Sequence, residues 1–269
     1  MRAHSGQARD ACRGGAMNST ATFIVALAST FGCSVLGSVI ATALPKHHLS
    51  EESKDFIKVG AGVIATLTAL VLGLLLGSAK SSYDGINTIV IQNAARIISI
   101  DGALRQYGPE ARDLRILLQH ALADRIQKIW PDEQVPQLGL EELDSSNMPE
   151  IFLSRVCDLK PSSDSQRLAQ SFIIQLTREY VQNHHLLIEQ TIAEFPPLFQ
   201  IIMLCWMASL FTTYGLFSPR NPTVFAVLLV CAFSVSSAVF LINELSRPFD
   251  GLIRISGAPM LNALQHLAR

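Results

Sequence analysis

The chain has 269 residues, of which 49% are hydrophobic, only 16% charged and 7% aromatic, and its mean hydropathy is +0.32; such a shortage of charge leaves long stretches with nothing to present to water and excludes disorder, collagen and coiled-coil fibres. A net charge of −1 gives no basic excess to neutralise phosphates, which excludes a dedicated nucleic-acid binder. The five cysteines are too few and too scattered for a disulfide scaffold: Cys33, Cys205 and Cys231 sit inside apolar runs, and neither Cys12 nor Cys157 has a Cys-x-x-Cys neighbour.

Residues 1–16, rich in Ala, Gly and Arg, read as a disordered tail, and Met17 offers an alternative start. No charge falls between Arg13 and Lys46, and the apolar part from Thr22 to Leu44 exceeds the roughly 20 helical residues that cross a hydrocarbon core. This is span one. Arg2, Arg9 and Arg13 before it and Ala41-Thr42-Ala43 near its end also suit a cleavable signal peptide, but signal cores run only about 7–15 residues. His47-His48 lies in the short loop that follows.

Lys58 and Lys80 bracket span two, VGAGVIATLTALVLGLLLGSA. Small residues recur in it every four positions at Ala61, Ala65, Ala69, Gly73 and Gly77, continuing outside it at Ser81 and Gly85, and a weaker ladder of Ser29, Cys33, Gly37 and Ala41 runs down span one. Faces of this kind let helices approach closely in lipid, so the simplest expectation is that spans one and two pack face to face. The alternative sets span two against a neighbouring subunit around an axis. Val63, Leu67, Leu70 and Leu74 then face lipid or line a central lumen as a hydrophobic constriction.

An insert over 80–196 reads as helical throughout. Ile86, Ile89, Val90, Ile97 and Leu104 fall at helical spacing. Gly108-Pro109-Glu110 ends that helix and opens the next, whose apolar side carries Leu114, Leu117, Leu118, Ala121, Leu122, Ile126 and Ile129 as far as Trp130-Pro131. An acidic connector at 132–147, a short helix near 149–158 and a long helix over 163–194 follow, the last with Leu168, Phe172, Leu176 and Tyr180 as its buried stripe. Asp101, Arg105, Arg112 and Arg115 are spaced to pair across the break at Gly108. His185 and Glu189 share a helix face beside His184, but two ligands do not make a metal site, and no metal or other cofactor is expected.

Glu194 and Arg220 bracket span three, PLFQIIMLCWMASLFTTYGLF, entered through Pro196-Pro197; Arg220 and Glu244 bracket span four, NPTVFAVLLVCAFSVSSAVFLIN. The chain therefore reads as an all-α membrane protein with four transmembrane helices in two hairpins and a helical cytosolic insert between spans two and three. Its parts are the tail 1–16, hairpin one 17–79, the helical cytosolic domain 80–196, hairpin two 197–244 and a cytosolic C-terminal segment 245–269. Four crossings put both ends and the insert on one side, and the insert's arginines favour the cytoplasm where the flanking Lys and Arg tie. Lys80, Asp84, Arg220, Glu244, Arg247, Asp250 and Arg254 gather at span ends, as interfacial anchors do. No span has a charge at its middle, which disfavours pumps, coupled transporters and voltage sensors but not a passive conduit. No G-x-S-x-G, P-loop, G-x-G-x-x-G or H-E-x-x-H motif occurs, so no enzyme is expected.

The stretches LVLGLLLGSAKSSYD at 70–84, IDGALRQYGPEARDLRILL at 100–118, IW at 129–130, YGLFSPRNPT at 214–223 and LINELSRPFDGLIRIS at 241–256 resemble the bestrophin-like family of bacterial membrane proteins, across about Thr22 to Leu267. The resemblance implies a multi-pass protein of the bacterial inner membrane. Bestrophins themselves are similar in outline, with four spans, cytosolic termini, a helical cytosolic region between spans two and three, and assembly as pentameric anion channels whose second span lines the neck. Carried over, this implies a homo-oligomer, a pentamer, with the lipid bilayer and an inorganic anion as its partners. Arg247-Pro248-Phe249-Asp250-Gly251 is similar to the bestrophin Asn-Pro-Phe-Gly segment, but Leu252, Ile253 and Arg254 follow where bestrophins have a calcium-binding acidic run. No calcium site is carried over. The aromatic-rich neck is also absent, since Val63, Leu67, Leu70 and Leu74 are aliphatic. Two functions stay open: an oligomeric ion channel with span two around its axis, the insert as vestibule and Lys80 and Arg254 concentrating anions, or a non-conducting membrane scaffold or sensor whose insert binds a partner.

Overall fold

The computed structural model describes residues 19–43, 51–133, 148–192, 197–219 and 221–268, and the regular elements among them are all helices. In chain order they are α1 (Ser19–Ala43), α2 (Glu51–Tyr107), α3 (Arg112–Ile129), α4 (Met148–Cys157), α5 (Asp164–Ile192), α6 (Pro197–Phe217), α7 (Pro222–Leu245) and α8 (Ala258–Leu267), with a 3-10 turn at Pro109–Ala111. The expected tail, Met17, His47-His48, most of the 132–147 connector, Glu194, Pro196 and Arg220 lie outside the described residues, as do the side chains of His184, His185 and Glu189.

Among these helices α1, α2 and α7 are long and apolar enough to cross a membrane. The charge-free 21-residue α6 is a further apolar helix. Helix α2, 57 residues long, joins what the sequence divides into span two and the first helix of the insert. No proline interrupts it, and it stops only where Gly108 adopts φ 122° and Pro109 follows, a backbone turn that glycine makes without a Cβ clash.

The chain divides into two compact units, residues 1–81 with 194–246 and residues 82–193 with 247–269. In the first, α1 packs against α6 and α7. Its buried face is Ala26, Thr30, Ser34, Gly37 and Ser38. The hydroxyls there are satisfied within the helix, Thr30 Oγ1 donating to the Ala26 carbonyl at 2.7 Å and Ser34 Oγ to the Phe31 carbonyl at 2.7 Å, so burying them costs little. Gly37 lies directly against the Thr212 and Leu216 backbone, and Gly215 against the Ser34 backbone. Phe23 meets Phe233 and Phe240 of α7 edge to face at 5.4 and 6.1 Å.

The expected face-to-face packing of the span-one and span-two ladders does not hold at Gly37, whose close neighbour is α6. The buried ladder of α1 is one residue out of phase with Ser29, Cys33, Gly37 and Ala41, sharing only Gly37 with it, and its partner there is α6. A one-residue shift turns a helix face by about 100°, and a span that is apolar all round carries no pattern to fix the phase.

The second unit has two apolar clusters. In one, Ile86, Val90 and Ile97 of α2 meet Leu122 and Ile126 of α3 and Met260 and Leu264 of α8; in the other, Ile100, Leu104 and Tyr107 meet Leu114, Phe152 and Ile173. The expected stripe of α5 is corrected here. Leu168 is 72% exposed and Phe172 48%, while Ala169, Ile173 and Thr177 are buried. Four-residue steps drift about 40° each, so Leu168 and Phe172 lie off the face that Leu176 and Tyr180 partly share.

Candidate functional site

Helix α2 holds most of the residues singled out from the sequence. The same 40° drift prevents its small residues from forming one face. Ala61 is buried and Ala65 half-buried, whereas Ala69, Gly73 and Gly77 are exposed, and a methyl added at Gly73 or Gly77 meets nothing within 4 Å. Val63, Leu67, Leu70 and Leu74, spaced four, three and four, hold one stripe and are 57%, 47%, 60% and 66% exposed. Only 11% of the apolar window of α2 is buried by its own chain, against 28% for α1 and 17% for α7. The aliphatic stripe, with Gly77 as its next rung by helical register and Gly73 at its edge, is thus an apolar surface left uncovered.

The charged residues at the span ends have different surroundings. Lys80 and Asp84 are exposed one turn apart on α2, Arg247 is half-buried and Asp250 exposed, while Glu244 is fully buried in the last turn of α7. Arg254 is engaged: its Nη1 lies 2.8 Å from Asp132 Oδ2 and its Nε donates to the Gly251 carbonyl at 2.8 Å. Paired in this way, Arg254 adds little net field for anions.

The Arg254 contacts belong to a clasp that the sequence did not reveal. Ile255 N–H donates to the Pro248 carbonyl at 2.8 Å, closing the loop over RPFDGLIRIS. Trp130 Nε1 donates to the Ile255 carbonyl at 2.8 Å, and Phe249 stands edge-on to the indole at 5.9 Å. A buried indole N–H requires an acceptor, so Trp130 at the end of an apolar helix was the available signal. Its partner lies 125 residues away.

Three of the four charged residues expected to pair around Gly108 do so. Asp101, 1% exposed, accepts from Arg105 Nε at 2.8 Å and Arg115 Nε at 2.7 Å, and Arg105 Nη2 also donates to the His266 carbonyl at 3.2 Å. Arg112 is exposed and outside this cluster. Arg96 Nε donates to Glu179 Oε2 at 3.2 Å; this bond, with one from Gln175, lowers the Glu179 pKa. Burial, with the Glu110 carboxylate nearby, raises that of Tyr107. Among the described residues no group of three or more His, Cys, Asp or Glu side chains is placed to hold a metal ion.

Comparison with known proteins bears on the whole arrangement. A family model described as a bestrophin-like domain matches residues 28–260. The crystal structure of a single-substitution variant of a membrane protein superposes with a TM-score of 0.66 at 12% identity, covering 90% of this chain and 97% of its own. Two single-substitution variants of a bacterial bestrophin homologue from Klebsiella pneumoniae superpose with TM-scores of 0.64 at 13% identity, covering 89% and 90% of this chain and 96% and 97% of theirs. At such identities the likeness is one of fold. No curated protein matches significantly.

Proposed function

Because the chain belongs to the bestrophin-like family, we propose that it is an oligomeric ion channel of the bacterial inner membrane, passing inorganic anions, with α1, α2, α6 and α7 as its spans. Its ends and the 80–196 region are then cytosolic, and five copies ring the axis as in the bestrophin outline. The observation that carries this reading is the exposure of α2. A helix whose apolar length is 11% buried by its own chain needs lipid or other copies to cover the rest. With copies of α2 around an axis, the small residue Gly73 at the edge of the stripe allows close approach of a neighbour. The stripe Val63, Leu67, Leu70 and Leu74 then faces the lumen, where a hydrophobic constriction gates by dewetting.

The test is the mass of the purified particle together with halide flux into liposomes. A ring that conducts, and whose flux rises several-fold with Leu70→Ala or Leu74→Ala, supports the channel. A monomer, or a ring without flux, refutes it and leaves the non-conducting scaffold or sensor. Unchanged flux in both variants removes the gate assignment.

A further inference from the structure

The second unit contains a cavity that neither the pore stripe nor the clasp uses. Its walls come from α2, α3, α4 and α5 and include Ile97, Leu118, Ala121 and Phe152, with Arg125 and Tyr180 as polar members. The space measures about 60 Å³. A water position takes roughly 10–15 Å³ on this measure, so the cavity has room for about five waters, or for a hydrocarbon chain of about six carbons. Water gains few hydrogen bonds against such walls, and an apolar occupant gains by displacing it.

The polar groups set the rest of the chemistry. Thr177 on the same wall commits its hydroxyl to the Ile173 carbonyl at 2.8 Å. Tyr180 packs against the cluster that contains Leu122 and Ile126, the residues flanking Arg125 on α3, whereas Phe152 belongs to the other cluster. Arg125 and Tyr180 are thus the charged and the phenolic members of a wall that is otherwise mostly hydrocarbon. A guanidinium has five N–H donors, enough to take a carboxylate beside the contact it already has. We propose that the cavity is a binding site for a short aliphatic carboxylate of about six carbons, its chain between Ile97, Leu118 and Phe152 and its head at Arg125 and Tyr180. The proposal stands on the cavity alone and is independent of conduction.

The experiment uses the full-length protein in detergent, titrated with acetate, hexanoate and hexan-1-ol and followed by calorimetry. The expected result is one saturable hexanoate site per chain, with acetate far weaker, since each added methylene tightens binding about fourfold until the space is full. Arg125→Gln should weaken hexanoate at least fivefold and leave hexan-1-ol within twofold, and Ala121→Leu, which fills the space, should abolish both. Absence of saturable hexanoate binding, or binding indifferent to Ala121→Leu, overturns the site; indifference to Arg125→Gln overturns the carboxylate assignment. Because Ala121→Leu could disturb folding, a diazirine-bearing hexanoate is also photolysed on the unmutated protein. Labelling within 97–100, 118–125, 149–152 or 177–180 supports the site, and labelling confined elsewhere refutes it.

Discussion

Adding one methyl group at Gly37 or Gly215 should part α1 from α6. A Cβ at Gly37 collides with the Thr212 carbonyl and the Leu216 amide, and one at Gly215 with the Ser34 backbone. Backbone atoms cannot rotate aside as side-chain ends do, so the cost lies near the top of the usual range for overpacking, about 3 kcal/mol. Alanine returns about 1 kcal/mol of helix propensity over glycine, leaving a net loss near 2 kcal/mol for each variant. That corresponds to a fall of roughly 4–8 °C in unfolding midpoint. Both glycines serve one contact, so the double variant should lose less than the sum of the singles. The controls are Gly73→Ala and Gly77→Ala, where the new methyl meets nothing within 4 Å. Their subunit midpoint should hold or rise, while the mass of the assembly drops if that flank lies between copies. The readout is Trp206 fluorescence on α6, in a Trp130→Phe background, together with particle mass by light scattering. Equal midpoint losses in both pairs, or none at Gly37, would refute the close-approach argument.

The second unit supports three further tests, with Trp130 fluorescence as reporter for the first. Asp101→Asn, which strips charge from a buried carboxylate holding two guanidinium groups, should cost about 3 kcal/mol, while Arg105→Ala, at a side chain 40% exposed, should cost about 1 kcal/mol or less; the reverse order would contradict the burial argument. Trp130→Phe leaves the Ile255 carbonyl without its donor and should cost about 2 kcal/mol, read as faster amide exchange over 248–268, whereas unchanged exchange would show that the clasp holds without this bond. The Glu179 pKa is lowered in the fold by Arg96 and then Gln175 from an ordinary value of 4.5, so its stabilisation is present above pH 4.5 and lost as pH falls through the depressed value. Unmutated protein should therefore exceed Glu179→Gln in stability near neutrality and converge with it in acid, and a gap that widens on acidification would reverse the assigned sign.

The apolar helices α1, α2, α6 and α7 were legible because the absence of charge over some 20 residues is a one-dimensional signal that needs no knowledge of packing. The punctuation at Gly108-Pro109 was legible for a similar reason, since the backbone preferences of these two residues act locally. What α1 packs against was not. Gly37 and Gly215 are 178 positions apart in the chain, and neither flank tells which face of an all-apolar helix turns inward. Polar helices fared better: of the seven residues read as apolar-facing in α3, Leu114, Leu122 and Ile126 are buried and Leu117, Leu118, Ala121 and Ile129 half-buried. Helix α5 is the instructive exception, because Ala169 and Thr177 occupy its core face and the larger Leu168 and Phe172 drew the eye away from it. Size marks a residue as able to fill a core, whereas close helix packing selects small residues.

The same distinction explains how much of the candidate site could be read. Val63, Leu67, Leu70 and Leu74 follow alternating steps of four and three, which keep pace with 3.6 residues per turn, and they emerge as one exposed line. The small residues at uniform steps of four fall behind by about 40° each, so the ladder read as one surface in fact begins buried at Ala61 and ends open at Gly77. One helix thereby has its inner rungs within its own subunit and its outer rungs free for another. An arrangement in which a single ladder contacts first its own subunit and then a neighbour suits a ring of tilted helices better than a parallel pair, because a tilted neighbour crosses the helix along just such a drifting line. Cysteine pairs placed at Gly73 and Gly77 should then cross-link between copies, while the same pair at Ala61 and Ala65 should not; cross-linking at Ala61 alone would contradict the drift.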